Sequence, residues 1–198
     1  TNNDTAYESA ISLFKKGINV KAIIDIREKS ESSIVKEAEN LGIKIYWSHT
    51  VVDTHGYKKL KKISIMKLSK DGQSFSNSNK TTLDCDCLGM AGGWTPAVHL
   101  FTQSGGKLKF REEDQVFIPN KYPSKQISIG SCNGDFEIDE IIKNSSDSLK
   151  KFLEIDKTDY ENLSVITSKE KNKKNIWLLP TDKVNGKTKP FVDYQNDA

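Results

Sequence analysis

The sequence predicts an α/β fold: a three-layer Rossmann-like parallel sheet of the FAD/NAD(P)-binding type, carrying an antiparallel β-meander insertion. Three observations predict it. Residues 4–47 alternate helical and strand periodicity at lengths that only crossover connections can join. Residues 51–88 then change to strand-like runs punctuated by a Lys70-Asp71-Gly72 turn, the pattern of antiparallel pairing. Finally, Asp84-Cys85-Asp86-Cys87-Leu88-Gly89-Met90-Ala91-Gly92-Gly93-Trp94-Thr95-Pro96 reads as a strand ending on glycines. Such strand ends are where open α/β sheets bind nucleotides. Glycine there lets main chain approach a ligand, and Pro96 stops the strand.

Each element follows in order. Asp4 is the expected cap of a first helix whose apolar positions are Ala6, Ala10, Ile11, Leu13 and Phe14, with Gly17 as its stop. Val20–Asp25 is a short β-branched run that reads as a buried parallel strand. Ser32 or Ser33 opens a second helix bearing Ile34, Val35, Ala38 and Leu41, stopped at Gly42. Ile43–Trp47 is the next parallel strand. Val51–His55, Leu60–Leu68 and Phe75–Leu88 are the expected meander. The lysines at 58, 59, 61 and 62 read as solvated protection of an edge strand. After Pro96 come a short helical piece at Val98–Thr102 ending at Gly105-Gly106, and strands at Lys107–Phe110, Val116–Ile118 and Gln126–Gly130. Phe136–Ile155 is helical in character, with Ser145-Ser146-Asp147 predicted to break it in two. The expected domains are therefore 1–155, an FAD/NAD(P)-binding-like α/β domain lacking its first strand, and 156–198, a linker and tail leading to an absent C-terminal domain.

Composition narrows the function. The chain has 198 residues, 35% hydrophobic and 29% charged, enough to bury a real core. A net charge of +3, from 30 basic and 27 acidic residues, falls short of the basic excess of nucleic-acid binders. No apolar run approaches the ~20 residues of a bilayer span, and no signal peptide is visible, so the expectation is a cytoplasmic protein without membrane or nucleic-acid partners. The odd set Cys85, Cys87 and Cys132 reads as reduced, buried thiols that hold no metal. There is no Cys-x-x-Cys, which disfavours disulfide-reductase chemistry.

Three clusters carry the candidate chemistry. Asp25 ends a strand 21 residues beyond Asp4, the spacing at which dinucleotide folds place a carboxylate on the adenosine ribose. It reads equally as a loop-capping carboxylate, and Arg27 beside it as a salt-bridge, adenine-stacking or 2′-phosphate partner. The phosphate loop is degenerate. Thr1-Asn2-Asn3-Asp4-Thr5-Ala6 has no glycine, and Asp4 puts negative charge at the helix N-terminus where a pyrophosphate would bind. The candidate cofactor-binding residues are thus Asn2, Asn3, Asp4, Asp25 and Arg27, the strand-end Gly92, Gly93 and Trp94, and Gly130, Asn133 and Gly134 of the Gly130–Asp135 turn. For that turn an ordinary strand-to-helix connection is the competing reading. No catalytic set is visible: His49, His55 and His99 stand at unrelated spacings.

Three blocks, Thr1-Asn2-Asn3-Asp4-Thr5-Ala6-Tyr7, Gly92-Gly93-Trp94-Thr95-Pro96-Ala97-Val98-His99-Leu100 and Cys132-Asn133-Gly134, give the chain a resemblance. It resembles the alpha subunit of heterotetrameric sarcosine oxidase, in the region of that subunit similar to thioredoxin reductase. Tail residues Lys183, Lys187 and 191–197 look like the family's join to its next domain. The resemblance implies a part of a complex that demethylates sarcosine oxidatively to glycine and passes the one-carbon unit to tetrahydrofolate through an absent domain. It implies FAD and FMN in the whole complex, NAD bound weakly or vestigially in this segment, and beta, gamma and delta subunits as partners. This segment would then carry no catalytic residue. The competing classes are a subunit-interaction scaffold without nucleotide binding and a stand-alone NAD(P)H-dependent reductase.

Overall fold

The computed structural model describes residues 1–123, 125–154, 176, 179 and 180. The expected linker and tail at 156–198 therefore lie almost wholly outside the described residues, as do Lys183, Lys187 and 191–197. The chain divides into two units, one comprising Thr1–Gly93 among the described residues and one beginning at Trp94.

The first unit opens with α1 (Thr5–Lys15), β1 (Ile23–Asp25), α2 (Ser33–Asn40) and β2 (Ile45–Trp47). β1 and β2 are parallel, pairing Ile23 with Ile45 and Asp25 with Trp47, as the crossover through α2 requires. Tyr7, Ile11, Ile23, Val35, Ala38 and Ile43 form one buried cluster. In strands, alternate residues share a face, so Ile23, Asp25, Ile45 and Trp47 all point toward the helices. α1 and α2 lie on this one face, joined by a Lys15–Glu37 ion pair at 2.6 Å. The expected three-layer parallel sheet is thus corrected: the described residues give a two-stranded parallel sheet covered by helices on one face. Its buried α1 stripe is Tyr7 and Ile11, whereas Leu13 and Phe14 are exposed.

The meander follows as β3 (His49–Gly56), β4 (Leu60–Lys67) and β5 (Thr81–Asp84), antiparallel and in that spatial order. β4 carries buried Ile63, Ile65 and Met66 and is the central strand. Lys61 and Lys62 therefore do not guard an edge. Lys62 stands opposite Asp84, an opposite-charge cross-strand pair. The 69–72 turn forms with Gly72 at φ +75°. The last strand is shorter than expected: Phe75 makes only an isolated bridge to Leu68, and β5 ends at Asp84. Cys85, Cys87, Gly92 and Gly93 lie beyond it, without regular structure.

The second unit contains α3 (His99–Gln103), the hairpin β6 (Lys107–Arg111) and β7 (Val116–Lys121), a 3-10 turn at Gly130–Asn133, and α4 (Ile138–Leu153). Gly106 sits against Phe101, whose ring lies 2.4–2.6 Å from where a Cβ would be, so only glycine lets the helix end meet the hairpin. Two expectations fail here. Residues 126–129 form no strand, because Ile129 leads directly into the 3-10 turn. α4 runs unbroken through Ser145-Ser146-Asp147, since serine and aspartate inside a helix cost only tenths of a kcal/mol relative to better formers.

Candidate functional site

The structure gathers seven of the candidate residues in the first unit around the start of α1. Asp25 is fully buried at the end of β1, and Arg27, just past it, is 1% exposed. Asp25 Oδ1 accepts from the Arg27 backbone N–H at 2.9 Å and from Nε at 3.1 Å. Its Oδ2 accepts from Arg27 Nη2 and from the Tyr7 hydroxyl, both at 2.8 Å. Arg27 Nη2 also pairs with Asp4 Oδ1 at 2.8 Å. One buried guanidinium thus stands between two carboxylates, the arrangement in which a buried cation is tolerated. Burial works against the Arg27 charge, but the hydrogen bonds and charges of Asp25, then Asp4, outweigh it and raise its pKa. Burial first, and then the charge and hydrogen bond of Asp25, push the Tyr7 hydroxyl well above its ordinary value.

Asp4 is not the cap expected of it. It occupies the N-cap position with helical dihedrals and makes no capping bond to α1. Its carboxylate turns to Arg27 instead. Asn3 takes over at the helix start: its Oδ1 accepts from the Thr5 N–H at 3.1 Å and from the Thr5 hydroxyl at 2.5 Å. The loop 1–4 is held further by the Ile26 N–H donating to Thr1 O at 3.0 Å.

Asn2 and Asn3 are both buried. Asn3 Nδ2 donates to Asn2 Oδ1 at 2.7 Å, and Asn2 Nδ2 donates to Gly92 O at 2.8 Å. Gly93, at φ +111°, has its missing Cβ 3.2 Å from Asn2 Nδ2. The glycine pair does admit a close approach, and what approaches is the Asn2 amide.

Trp94, Gly130, Asn133 and Gly134 belong to the second unit. Trp94 is exposed. Gly134 ends the 3-10 turn at φ +87°, a left-handed conformation that suits glycine, with its N–H on Ser131 O at 3.1 Å. Its carbonyl accepts from Arg111 Nη2 at 2.8 Å. Arg111 is also paired with Asp114, and burial of the turn's glycine face leaves Arg111 Nη2 only 2.8 Å from a would-be Gly134 Cβ.

Sequence reasoning missed Tyr7 and Arg111. Tyr7 was legible as the one hydroxyl-bearing ring four residues before Ile11 on the buried stripe. Arg111 has a local partner in Asp114 three residues on, but its bond to the Gly134 carbonyl, 23 residues away, leaves no local signal. The histidines serve structure where partners are seen: His49 Nδ1 lies 2.6 Å from Trp47 O and His55 Nε2 2.8 Å from Ser64 Oγ. The three thiols are free, but Cys87 is exposed and Cys85 and Cys132 are half-buried rather than core. Being past the end of β5, Cys85 and Cys87 do not share a strand face. An open groove of about 400 Å³ between α1 and α2, lined by Ile11, Lys15, Ile34 and Glu37 among others, includes none of the candidate residues. Among the described residues no helix is long and apolar enough to cross a membrane, and no cluster of metal-ligating side chains occurs.

No family model matches the chain. It is 26% identical to the sarcosine oxidase subunit alpha of a Corynebacterium species over 204 aligned residues, covering 100% of this chain and 21% of that protein. The subunit alpha of Rhizobium meliloti is 29% identical over 139 residues, 67% of this chain and 12% of that protein. The chain thus spans about an eighth to a fifth of these relatives. Among solved structures, the thioredoxin reductase of T. acidophilum superposes with a TM-score of 0.52 at 16% identity, over 77% of this chain and 48% of that one. Over its whole length the chain is a homologue of part of the sarcosine oxidase alpha subunit, on a thioredoxin-reductase-like fold.

Proposed function

We propose that the chain is a segment of an alpha subunit in a sarcosine oxidase complex. In it the unit Thr1–Gly93 is a degenerate pyridine-nucleotide-type domain that serves as scaffold. One observation supports this above others: the charged side chains at the start of α1 and the end of β1 are engaged with one another. Asp4 supplies to Arg27 the negative charge that a pyrophosphate would bring, and loop 1–5 has no glycine to admit one. Both Asp25 oxygens are buried and engaged, so neither is left for a ribose hydroxyl. The residues present do not fit NAD. Oxidative demethylation of sarcosine to glycine, FAD and FMN, and transfer to tetrahydrofolate would belong to the whole complex, with beta, gamma and delta subunits as partners. Exposed Met90, Trp94 and Leu100, in and after a stretch without regular structure, favour subunit contact as this segment's role.

Titration calorimetry with NAD tests the reading. The chain should bind NAD at millimolar affinity or worse, on the order of 4 kcal/mol at most. Asp4→Gly removes one of the two carboxylates paired with Arg27 and should strengthen any residual binding. Micromolar binding by the unmodified chain would show that the site is open, and would refute the scaffold assignment.

A further inference from the structure

The backbone of Thr1 already behaves as part of a strand. Its nitrogen donates to Ile24 O at 2.7 Å, and its carbonyl accepts from the Ile26 N–H at 3.0 Å. A residue that bonds to both neighbours of the residue opposite it is the slanted mark of a parallel ladder, and it sets Thr1 opposite Asp25. β1 reaches β2 through the alternate residues: the Ile23 N–H donates to Lys44 O at 2.8 Å. Successive residues of a strand aim their backbone groups at opposite edges, so the Ile24 N–H points with Ile24 O toward the Thr1 side. Among the described residues it meets no acceptor there.

The helices give an independent reason to place a strand on that edge. Crossovers between parallel strands are almost always right-handed. Two successive right-handed crossovers put their helices on the same face of a sheet only when the strands advance in one direction. α1 and α2 pack on one face, with Tyr7 and Ile11 in the same buried cluster as Val35 and Ala38. The strand from which α1 departs therefore lies beside β1, on the edge away from β2. We propose that this free edge of β1 is the docking site of a third parallel strand, formed by the residues that lead into Thr1 in a longer polypeptide. Thr1 is already in the ladder, so its own chain continues along β1 without a turn, which a separate peptide or a second copy would have to displace. The residue two before Thr1 stands opposite Ile23, accepts from the Ile24 N–H and donates to the Ala22 carbonyl. Its side chain faces α1 and α2, as that of Ile23 does, and an apolar β-branched residue fits there. The proposal rests on the chain's being a segment of a longer one and not on the fate of NAD, so strand addition and NAD calorimetry fail independently.

Hydrogen exchange of the 198-residue chain, followed by NMR, tests it with two designed extensions placed directly before Thr1. Val-Ile-Val-Ile can form the strand, whereas Gly-Ser-Gly-Ser has little tendency to. The first should slow exchange of the Ile24 amide at least about tenfold relative to the second, because only then does that N–H enter a ladder. It should also raise the melting temperature by about 3 °C. Ile24→Pro removes the N–H that the added strand needs but that bonds nothing in the unextended chain, a place where an edge strand tolerates proline. The I24P chain should keep its fold by circular dichroism and gain nothing from Val-Ile-Val-Ile. If I24P loses the fold, the exchange comparison decides alone. Equal Ile24 exchange in the two extended chains overturns the proposal, as does a folded I24P chain that gains as much from the extension as the parent.

Discussion

Replacing Asp25 by alanine should be among the most damaging single changes in the first unit. The carboxylate is fully buried and accepts five hydrogen bonds, four from Arg27 and one from Tyr7, at 2.8–3.2 Å. Its removal leaves the buried Arg27 with Asp4 as its remaining carboxylate partner and strips the Tyr7 hydroxyl of its acceptor. Breaking a buried ion pair from one side costs about 3–5 kcal/mol. An orphaned buried hydroxyl costs about 1–3 kcal/mol more, though the two overlap. A net loss of about 4 kcal/mol is expected, which lowers the melting temperature by about 10 °C in a chain of this size. Thermal unfolding by far-ultraviolet circular dichroism measures it, and the fluorescence of Trp47, stacked on Tyr7 at 6.3 Å, reports on the same unit. The double variant D25A/R27M removes both charges and should be more stable than D25A alone. A loss under about 1 kcal/mol in D25A, or no recovery in the double variant, would mean that water enters the cluster and that the closed-site argument fails.

Two further outcomes follow from the same structure. Tyr7 ionises in the unfolded chain near its ordinary value of about 10 but stays protonated in the fold, where burial and Asp25 hold its pKa higher. Its contribution is therefore complete below pH ~10 and is lost as pH rises above that, so Tyr7→Phe should flatten the alkaline limb of the stability profile measured by urea unfolding. Among the thiols, Cys87 is exposed, while burial, and after it the charges of Asp86, Cys87 and Asp84, raise the Cys85 pKa. Alkylation at pH 8 followed by peptide mass spectrometry should modify Cys87 before Cys85, and equal rates would refute that ordering.

The sequence made the first half of the fold legible because its signals are local. Helix, strand, helix and strand over residues 4–47 each have their own periodicity and stop, and chain length forces the crossover. What failed was decided by distant partners. Whether β4 is central or an edge depends on β5 arriving beside it, and nothing in Leu60–Lys67 encodes that arrival. Asp4 reads as a cap because aspartate is a good one, but Arg27, two residues past the end of β1, competes for its carboxylate, and a buried guanidinium outbids a helix terminus. The same holds for the glycines at 92 and 93. Their freedom was readable, but the group that exploits it, the Asn2 amide, lies 90 residues away. Ser145-Ser146-Asp147 shows the opposite case: three weak helix formers read locally as a break, but the flanking turns suffice to carry the helix through.

The bond between the Asn2 amide and the Gly92 carbonyl joins the two ends of the first unit across a separation of 90 residues. Closing a loop of that length is entropically slow relative to zipping the β3–β4 hairpin or the β1–α2–β2 crossover, whose contacts are near in sequence. Asn2 should therefore latch late in folding, after the meander exists to present residues 85–93 to it. In the native protein it should also be the clasp that lets go first. The stretch past Asp84 can then swing free without disturbing the buried cluster under α1, and its amides should exchange with solvent by this opening rather than by unfolding of the unit.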